Sequence, residues 1–334
     1  MSEARRDSPA NPLRGHRIAL SAVQAARQVI DPVFLNSPCY ECEPLSMALG
    51  CRLILKLETA NPIRSFKGRG ASLLVRGLKP DGNSAPLAAL VSASAGNWGQ
   101  ALAYACRDAG MPLIVYAATS ANALKVARMR SLGAEVRLAG NDFDAAKKEA
   151  EGFAQEAGLR MVADGLDVEA SVGAATIGIE LAARGNYDAI LAPLGNGALL
   201  TGIGRWTKAV SQATEVIGVS ATGADAMAAS WRSGHLVTRD RAETIADGIA
   251  VRVPIPEAVA DMNGTVDDLL LVPDDAIVAA MRLLFSEAGL MVEPAGAAGV
   301  AAVLIYPERF QGKRVATVLC GGNVTGEQVR RWMT

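Results

Sequence analysis

From about residue 50 onward, short aliphatic runs alternate with alanine-rich stretches of helical length, separated by glycine and asparagine. The runs at 52–57, 86–91, 112–117, 134–139, 187–192, 215–220, 268–272 and 314–319 are nearly continuous in apolar residues. Strands buried on both faces read this way, so the pattern predicts βαβ units forming a parallel sheet covered by helices, an α/β fold. Helices are expected within 97–110, 122–133, 142–158, 172–185 and 274–289, several closing on a C-terminal glycine.

Composition narrows the partners. Half of the 334 residues are apolar, enough for a large core and about two domains. The 33 Lys and Arg balance 34 Asp and Glu, which gives no electrostatic reason to expect a nucleic acid or a membrane surface. Residues 1–15 mix both charges with prolines and read as an N-terminal arm, not a signal or anchor. The longest uncharged apolar run, 294–307, falls short of the ~20 residues that cross a bilayer. Cys39, Cys42, Cys51, Cys106 and Cys320 form an odd set without a second C-x-x-C, which favours a reducing cytoplasm and gives no metal site.

Three polar, glycine-rich loops each follow a predicted buried strand: Ser92–Gln100, Pro193–Leu200 and Cys320–Gly326. Ligands of open parallel sheets bind beyond the strands' carboxyl ends, so the three loops are placed to line one crevice. In the second loop Gly195 and Gly197 permit close backbone approach, and the amides of Asn196, Gly197, Ala198 and Leu199 are expected at a helix N-terminus. That is an anion site or, equally, a tight turn without a ligand. A dinucleotide site is disfavoured: Leu200 replaces the third glycine of G-x-G-x-x-G, and the next strand ends in Ser220 where a ribose-binding acid is needed. Lys67 lies between Arg64 and Arg69, whose charge would make its amine more nucleophilic. A reactive amine, a phosphate cradle and polar loops on one crevice are the parts of a pyridoxal 5'-phosphate (PLP) site.

The stretches 65–71, 94–105, 244–251, 292–304 and 318–323 occur in the order seen in the fold type II PLP enzymes, the tryptophan synthase β group, and over about residues 30–325 the chain most closely resembles their serine/threonine dehydratases. The resemblance implies two doubly wound, mostly parallel three-layer α/β/α domains: a small one, 88–165, inserted in a large PLP-binding one, 16–87 plus 166–334. It implies Lys67 as the Schiff-base lysine and catalytic base, with Phe66 and Gly248 on opposite faces of the cofactor ring and Asn97 on the ring's 3'-oxygen. It further implies residues 195–199 on the phosphate, Ser94 and the amides through Trp98 on the substrate carboxylate, Cys320 facing the pyridine nitrogen, and Glu293 as an acid near that end of the ring. A neutral Cys320 thiol makes the ring a weaker electron sink, which suits β-elimination better than racemisation or transamination. The implied activity is dehydration and deamination of a β-hydroxy amino acid such as L-threonine or L-serine to a 2-oxo acid and ammonia, by a homodimer.

Departures from the family bear on the substrate. Ala95 stands where related racemases carry serine, Trp98 where many dehydratases carry histidine, and Asn196 and Ala198 interrupt a usually all-glycine loop. Ser220 replaces the carboxylate of cation-activated members, Asp225 reads as a helix-start charge, and little chain follows residue 323 to hold an allosteric domain. Arg64 replaces a glycine. Either it reaches a substrate with a second acid group, such as 3-hydroxyaspartate, or it points outward and pairs with Glu58 or Asp81, the preferred reading. Against the lyase stand β-replacement or threonine-synthase chemistry on the same fold, a PLP carrier without turnover, and a nucleotide-binding oxidoreductase.

Overall fold

The computed structural model describes residues 13, 15–78, 88–121 and 123–333. Most of the expected N-terminal arm, Asp81 and the start of the run at 86–91 lie outside them. Ten strands are formed among the described residues: β1 (Cys39–Glu41), β2 (Arg52–Leu57), β3 (Leu90–Ala93), β4 (Leu113–Ala117), β5 (Glu135–Leu138), β6 (Arg160–Val162), β7 (Ala189–Pro193), β8 (Glu215–Ala221), β9 (Asp268–Val272) and β10 (Arg314–Leu319). They divide into a six-stranded sheet ordered β1-β2-β10-β7-β8-β9 and a four-stranded sheet ordered β5-β4-β3-β6. Every pairing is parallel except that of β1 with β2.

Alternation along the four-stranded sheet shows why it is covered on both sides. Leu90, Leu113 and Val115 enter one core with the helices Asn97–Ala109 and Val168–Ala182. Val91, Ala93, Ile114 and Tyr116 enter another with the helix Phe143–Ala157. Neighbours in sequence face opposite ways, so an uninterrupted apolar strand demands two apolar layers. The expected strands at 52–57, 268–272 and 314–319 match β2, β9 and β10, while the run at 86–91 begins its strand only at Leu90. β1 and β6 have no counterpart in the apolar runs, because three-residue strands with polar members carry no such signal.

Each sheet has a point where the chain reverses its direction of travel. After β2, strands β7 to β9 build outward and β10 returns between β2 and β7. After β3, β4 and β5 build one way and β6 returns on the other side of β3. Crevices open at the carboxyl ends of such strands. Those ends deliver Cys320, Leu194 and Glu58 from the first sheet and Ser94 and Ala163 from the second.

The helix Lys67–Gly77 joins the two halves, and a buried ionic cluster anchors it. Arg69, fully buried, holds Glu58 Oε1 at 2.8 Å and Glu180 Oε1 at 2.6 Å, and donates to the Thr176 hydroxyl at 3.0 Å. Lys56 pairs with Glu180 from β2 and lies 3.8 Å from Glu58, while Ser37 donates to Glu58. Two cations thus neutralise two carboxylates in a buried site, with further hydrogen bonds from hydroxyl groups. Backbone contact adds to this: a Cβ on Gly70 would lie 2.7 Å from Ala170 Cα, and one on Gly173 would lie 2.5 Å from the Gly70 nitrogen. The core between these helices takes residues from both sides of the expected 88–165 boundary, among them Leu74, Leu90, Leu102 and Val172.

Truncating Arg69 leaves buried carboxylates short of a partner, so Arg69→Met is expected to cost about 3–5 kcal/mol. Chemical denaturation of the two proteins measures the difference, and a loss below about 1 kcal/mol contradicts the anchoring role.

Candidate active site

Lys67 is the first residue of its helix, and the strand-like contact before it fixes its position: Ser65 bridges to Gly321, and Phe66 N–H donates to the Cys320 carbonyl at 3.1 Å. The Lys67 side chain turns into a cavity of about 480 Å³, within the usual size of a cofactor pocket. Its Nζ lies 4.7 Å from the centre of the Phe66 ring and 2.5 Å from Asp164 Oδ2. Arg69 is committed to Glu58 and Glu180.

One wall follows β3. The Ser94 hydroxyl accepts the amides of Gly96 at 3.2 Å and Gly99 at 3.0 Å, folding the loop into the N-terminus of the helix Asn97–Ala109. Amides of a first helical turn have no intrahelical acceptor, so this end offers N–H groups to an anion. Ala95, Asn97 and the buried Trp98 line the cavity beside it.

The facing wall follows β7. Gly195 packs against the loop at 247–249 so closely that a Cβ there would lie 2.6 Å from the Gly248 carbonyl oxygen. Gly197, at φ 91°, turns the chain into the helix Ala198–Val210, and Asn196, Ala198 and Leu199 complete a cradle on that helix's N-terminus. Ala198 is already helical, so its methyl group is accommodated where the family has glycine.

At the back, Cys320 and Glu293 are both buried. Burial, reinforced by Glu293, pushes the Cys320 thiol far up, so it is neutral. Glu293 is pushed up to about 7, chiefly by burial and further by Asp247, against the pull of Lys125. It accepts Asn97 Nδ2 at 2.7 Å and the Asn323 amide at 3.2 Å, and Asn323 Nδ2 in turn donates to Asn97 Oδ1 at 2.8 Å. Asn97 is therefore clamped at both ends, with one amide hydrogen left for a ligand.

The structure brings Phe66, Lys67, Ser94, Ala95, Asn97, Trp98, Gly195–Leu199, Gly248, Glu293 and Cys320 onto this one cavity. Arg64 is not among the lining residues: its side chain is exposed. Nor is Glu58 its partner, being buried against Arg69. Arg64 has φ 54°, the left-handed region that glycine enters without a Cβ penalty, which explains the glycine usual there. Sequence reasoning missed Asp164, Lys125, Asp144 and Arg252, which also line the cavity. Asp164 follows β6, and recognising that short strand would have placed it at a carboxyl end with the other loops. Lys125 pairs with Asp247, and Arg252 with Asp144.

An amine between two sheets, with helix-start amides beside it and Phe66 and Gly248 in the same cavity wall, is the arrangement expected of an enzyme that works through a phosphorylated carbonyl cofactor. Residues 30–321 match the family described as pyridoxal-phosphate dependent enzyme, and the chain belongs to it. It is 30% identical over 311 residues to the L-threonine dehydratase biosynthetic IlvA of Bacillus subtilis (strain 168), covering 92% of this chain and 73% of that protein. Among solved structures it resembles the threonine deaminase of T.th., at TM-score 0.83 and 32% identity over 92% of this chain and 99% of that one. Maize serine racemase superposes as well, at TM-score 0.86 and 25% identity over 94% and 96%. The fold is that of the type II PLP enzymes, and the cofactor is PLP.

Two outcomes follow. A raised carboxyl pKa stabilises the fold fully below the unfolded value near 4.5, a benefit lost as pH rises through about 7. The stability of wild type relative to Glu293→Gln is therefore expected to fall between these pH values and level off above, as denaturant titrations at several pH values will show. Arg64→Gly relieves a left-handed arginine and is expected to stabilise by about 1 kcal/mol with no change in substrate preference between serine, threonine and 3-hydroxyaspartate.

Proposed function

We propose that this enzyme is an ammonia-lyase that dehydrates and deaminates a β-hydroxy amino acid, L-threonine or L-serine, to a 2-oxo acid and ammonia. The observation that carries the reading is the neutral, buried Cys320 thiol beside the Lys67 cavity, in a chain similar to threonine dehydratases over nine-tenths of its length. When bound, PLP supplies the electron withdrawal that acidifies the substrate's Cα–H bond. A thiol that stays neutral does not reinforce that withdrawal as a carboxylate would, so it suits a reaction in which a leaving group carries the electron pair away.

The remaining work falls to the chain's own groups. Lys67 would hold the cofactor through Nζ, and its free amine would take the substrate's α-proton. The amides of Gly195–Leu199 hold the phosphate at the positive end of a helix. Ser94 shapes the loop whose amides, through Trp98, receive the substrate carboxylate. Asn97, clamped by Glu293 and Asn323, would offer its remaining hydrogen to the cofactor's ring oxygen. Phe66 and Gly248, both in the cavity wall, would hold the ring between them. Ala95 offers no acid or base opposite Lys67, which favours elimination over racemisation despite the likeness to a racemase fold.

Residues 88–165 are taken as a small unit set into the larger one, supported by the four-stranded sheet lying wholly within 90–162. A homodimer is expected from the family. The five cysteines are unpaired, which favours a reducing cytoplasm. Among the described residues no helix is long and apolar enough to cross a membrane.

A panel of amino acids tests the activity. Serine or threonine is expected to release a 2-oxo acid and ammonia in equal amounts without a second substrate, and Lys67→Ala to lower the rate by about a thousandfold or more. Turnover only with an added nucleophile points instead to β-replacement. Borohydride reduction that places the pyridoxyl label on any residue but Lys67 overturns the site.

A further inference from the structure

Asp164 lines the cavity, and the lyase reading gives it no work. It stands two residues beyond β6, and its Oδ2 is within hydrogen-bond distance of Lys67 Nζ. That nitrogen is the one proposed above to take the α-proton, so a substrate's first carbons would sit within reach of the carboxylate. Its other oxygen, Oδ1, is buried and has no hydrogen-bond partner among the described residues. Asn196 Nδ2 lies at 3.5 Å from Oδ2, too far for a strong bond.

The charges around it sharpen the problem. The cavity's other cations are engaged elsewhere, Lys125 with Asp247 and Arg252 with Asp144. When Lys67 bonds to the cofactor, its nitrogen gives up hydrogens to that bond and Asp164 loses donors. The phosphate also brings negative charge to the neighbouring cradle, for Gly165 packs directly on Asn196. A half-buried carboxylate left in this state is costly, and a ligand cation restores its partner. A β-hydroxyl offers a single neutral hydrogen, whereas a β-ammonium offers charge and up to three hydrogens.

We infer that Asp164 is a specificity-determining residue that recognises a cationic substituent at the substrate's β-carbon, so that the enzyme also eliminates ammonia from a 2,3-diamino acid. The inference rests on the Lys67 chemistry proposed above. The α-proton passes to Lys67, the Cα–H electron pair becomes the second Cα–Cβ bond, and the Cβ–N bond breaks with its pair leaving on nitrogen as ammonia. The released enamine tautomerises and takes up one water, giving a 2-oxo acid and a second ammonia with no net oxidation or reduction.

The test uses the PLP-loaded protein and two analogues without a β-leaving group, L-2,4-diaminobutyrate and L-2-aminobutyrate, which differ by one ammonium. Their dissociation constants are read from quenching of tryptophan fluorescence, Trp98 being in the cavity wall. Wild type is expected to favour the diamino acid by about tenfold or more. Asp164→Asn should lose that ratio, and Asp164→Glu should keep part of it; retained cofactor absorbance shows that each variant is folded and loaded. L-2,3-diaminopropionate should yield pyruvate and two equivalents of ammonia. Equal affinities in wild type, an undiminished ratio in Asp164→Asn, or no ammonia from 2,3-diaminopropionate while L-serine turns over overturns the proposal. If neither L-serine nor L-threonine reacts while the charge preference and its loss in Asp164→Asn hold, the hydroxy-acid reading fails and the Asp164 assignment stands.

Discussion

The structure hangs on a buried guanidinium. Arg69 lies two residues beyond Lys67 and ties the helix they share to Glu58, at the end of β2, and to Glu180, on the neighbouring helix. The strand before the site, the helix that carries the amine and the helix behind it therefore meet at one group. A lone arginine in an apolar interior is too costly to exist, and here two carboxylates, Lys56 and hydroxyl groups make it affordable. Bidentate geometry adds direction: Arg69 Nε and Nη2 reach the two oxygens of Glu58, which restricts rotation of the helix about its own axis. The aim of Lys67 into the cavity follows from that restriction.

Much of this was legible in the residues. Strands covered on both faces must be apolar throughout, so most of them announce themselves as runs, and the loops that follow them fall where parallel sheets bind ligands. The Ser94, Gly195 and Cys320 loops follow from this rule alone, without a family resemblance. Lys67 needed more, since an isolated lysine is usually a solvated one; the ordered motifs around it supplied the context. The roles of Asn97 and Glu293 came only from resemblance. The structure supplies their physical link, a carboxyl that burial moves toward neutrality and that two donors hold in place.

What stayed hidden has a common cause. β6 is three residues long and opens on an arginine, so no periodicity marks it or the Asp164 that follows it. Lys125 lies on a helix of mixed polarity, where an inward lysine and an outward one look alike in sequence. The long-range pairs Lys125–Asp247 and Arg252–Asp144 are properties of tertiary packing alone. Arg64 is exposed, in keeping with the preferred outward reading. What sets it apart from its family is a backbone angle, and neither charge nor spacing reports a positive φ.

The contact between Gly70 and Gly173 sets a manufacturing tolerance for the enzyme. Where side chains separate two helices, evolution can adjust the gap a methylene at a time, and neighbouring rotamers absorb the error. Here main chain rests on main chain, so the gap has no intermediate settings. A single methyl group must push the helices apart, and the helix that moves carries Lys67 at its tip. The loops around the cavity can thus change without disturbing this packing, while a buried seam of two hydrogen-only positions holds the helix that carries Lys67 on station.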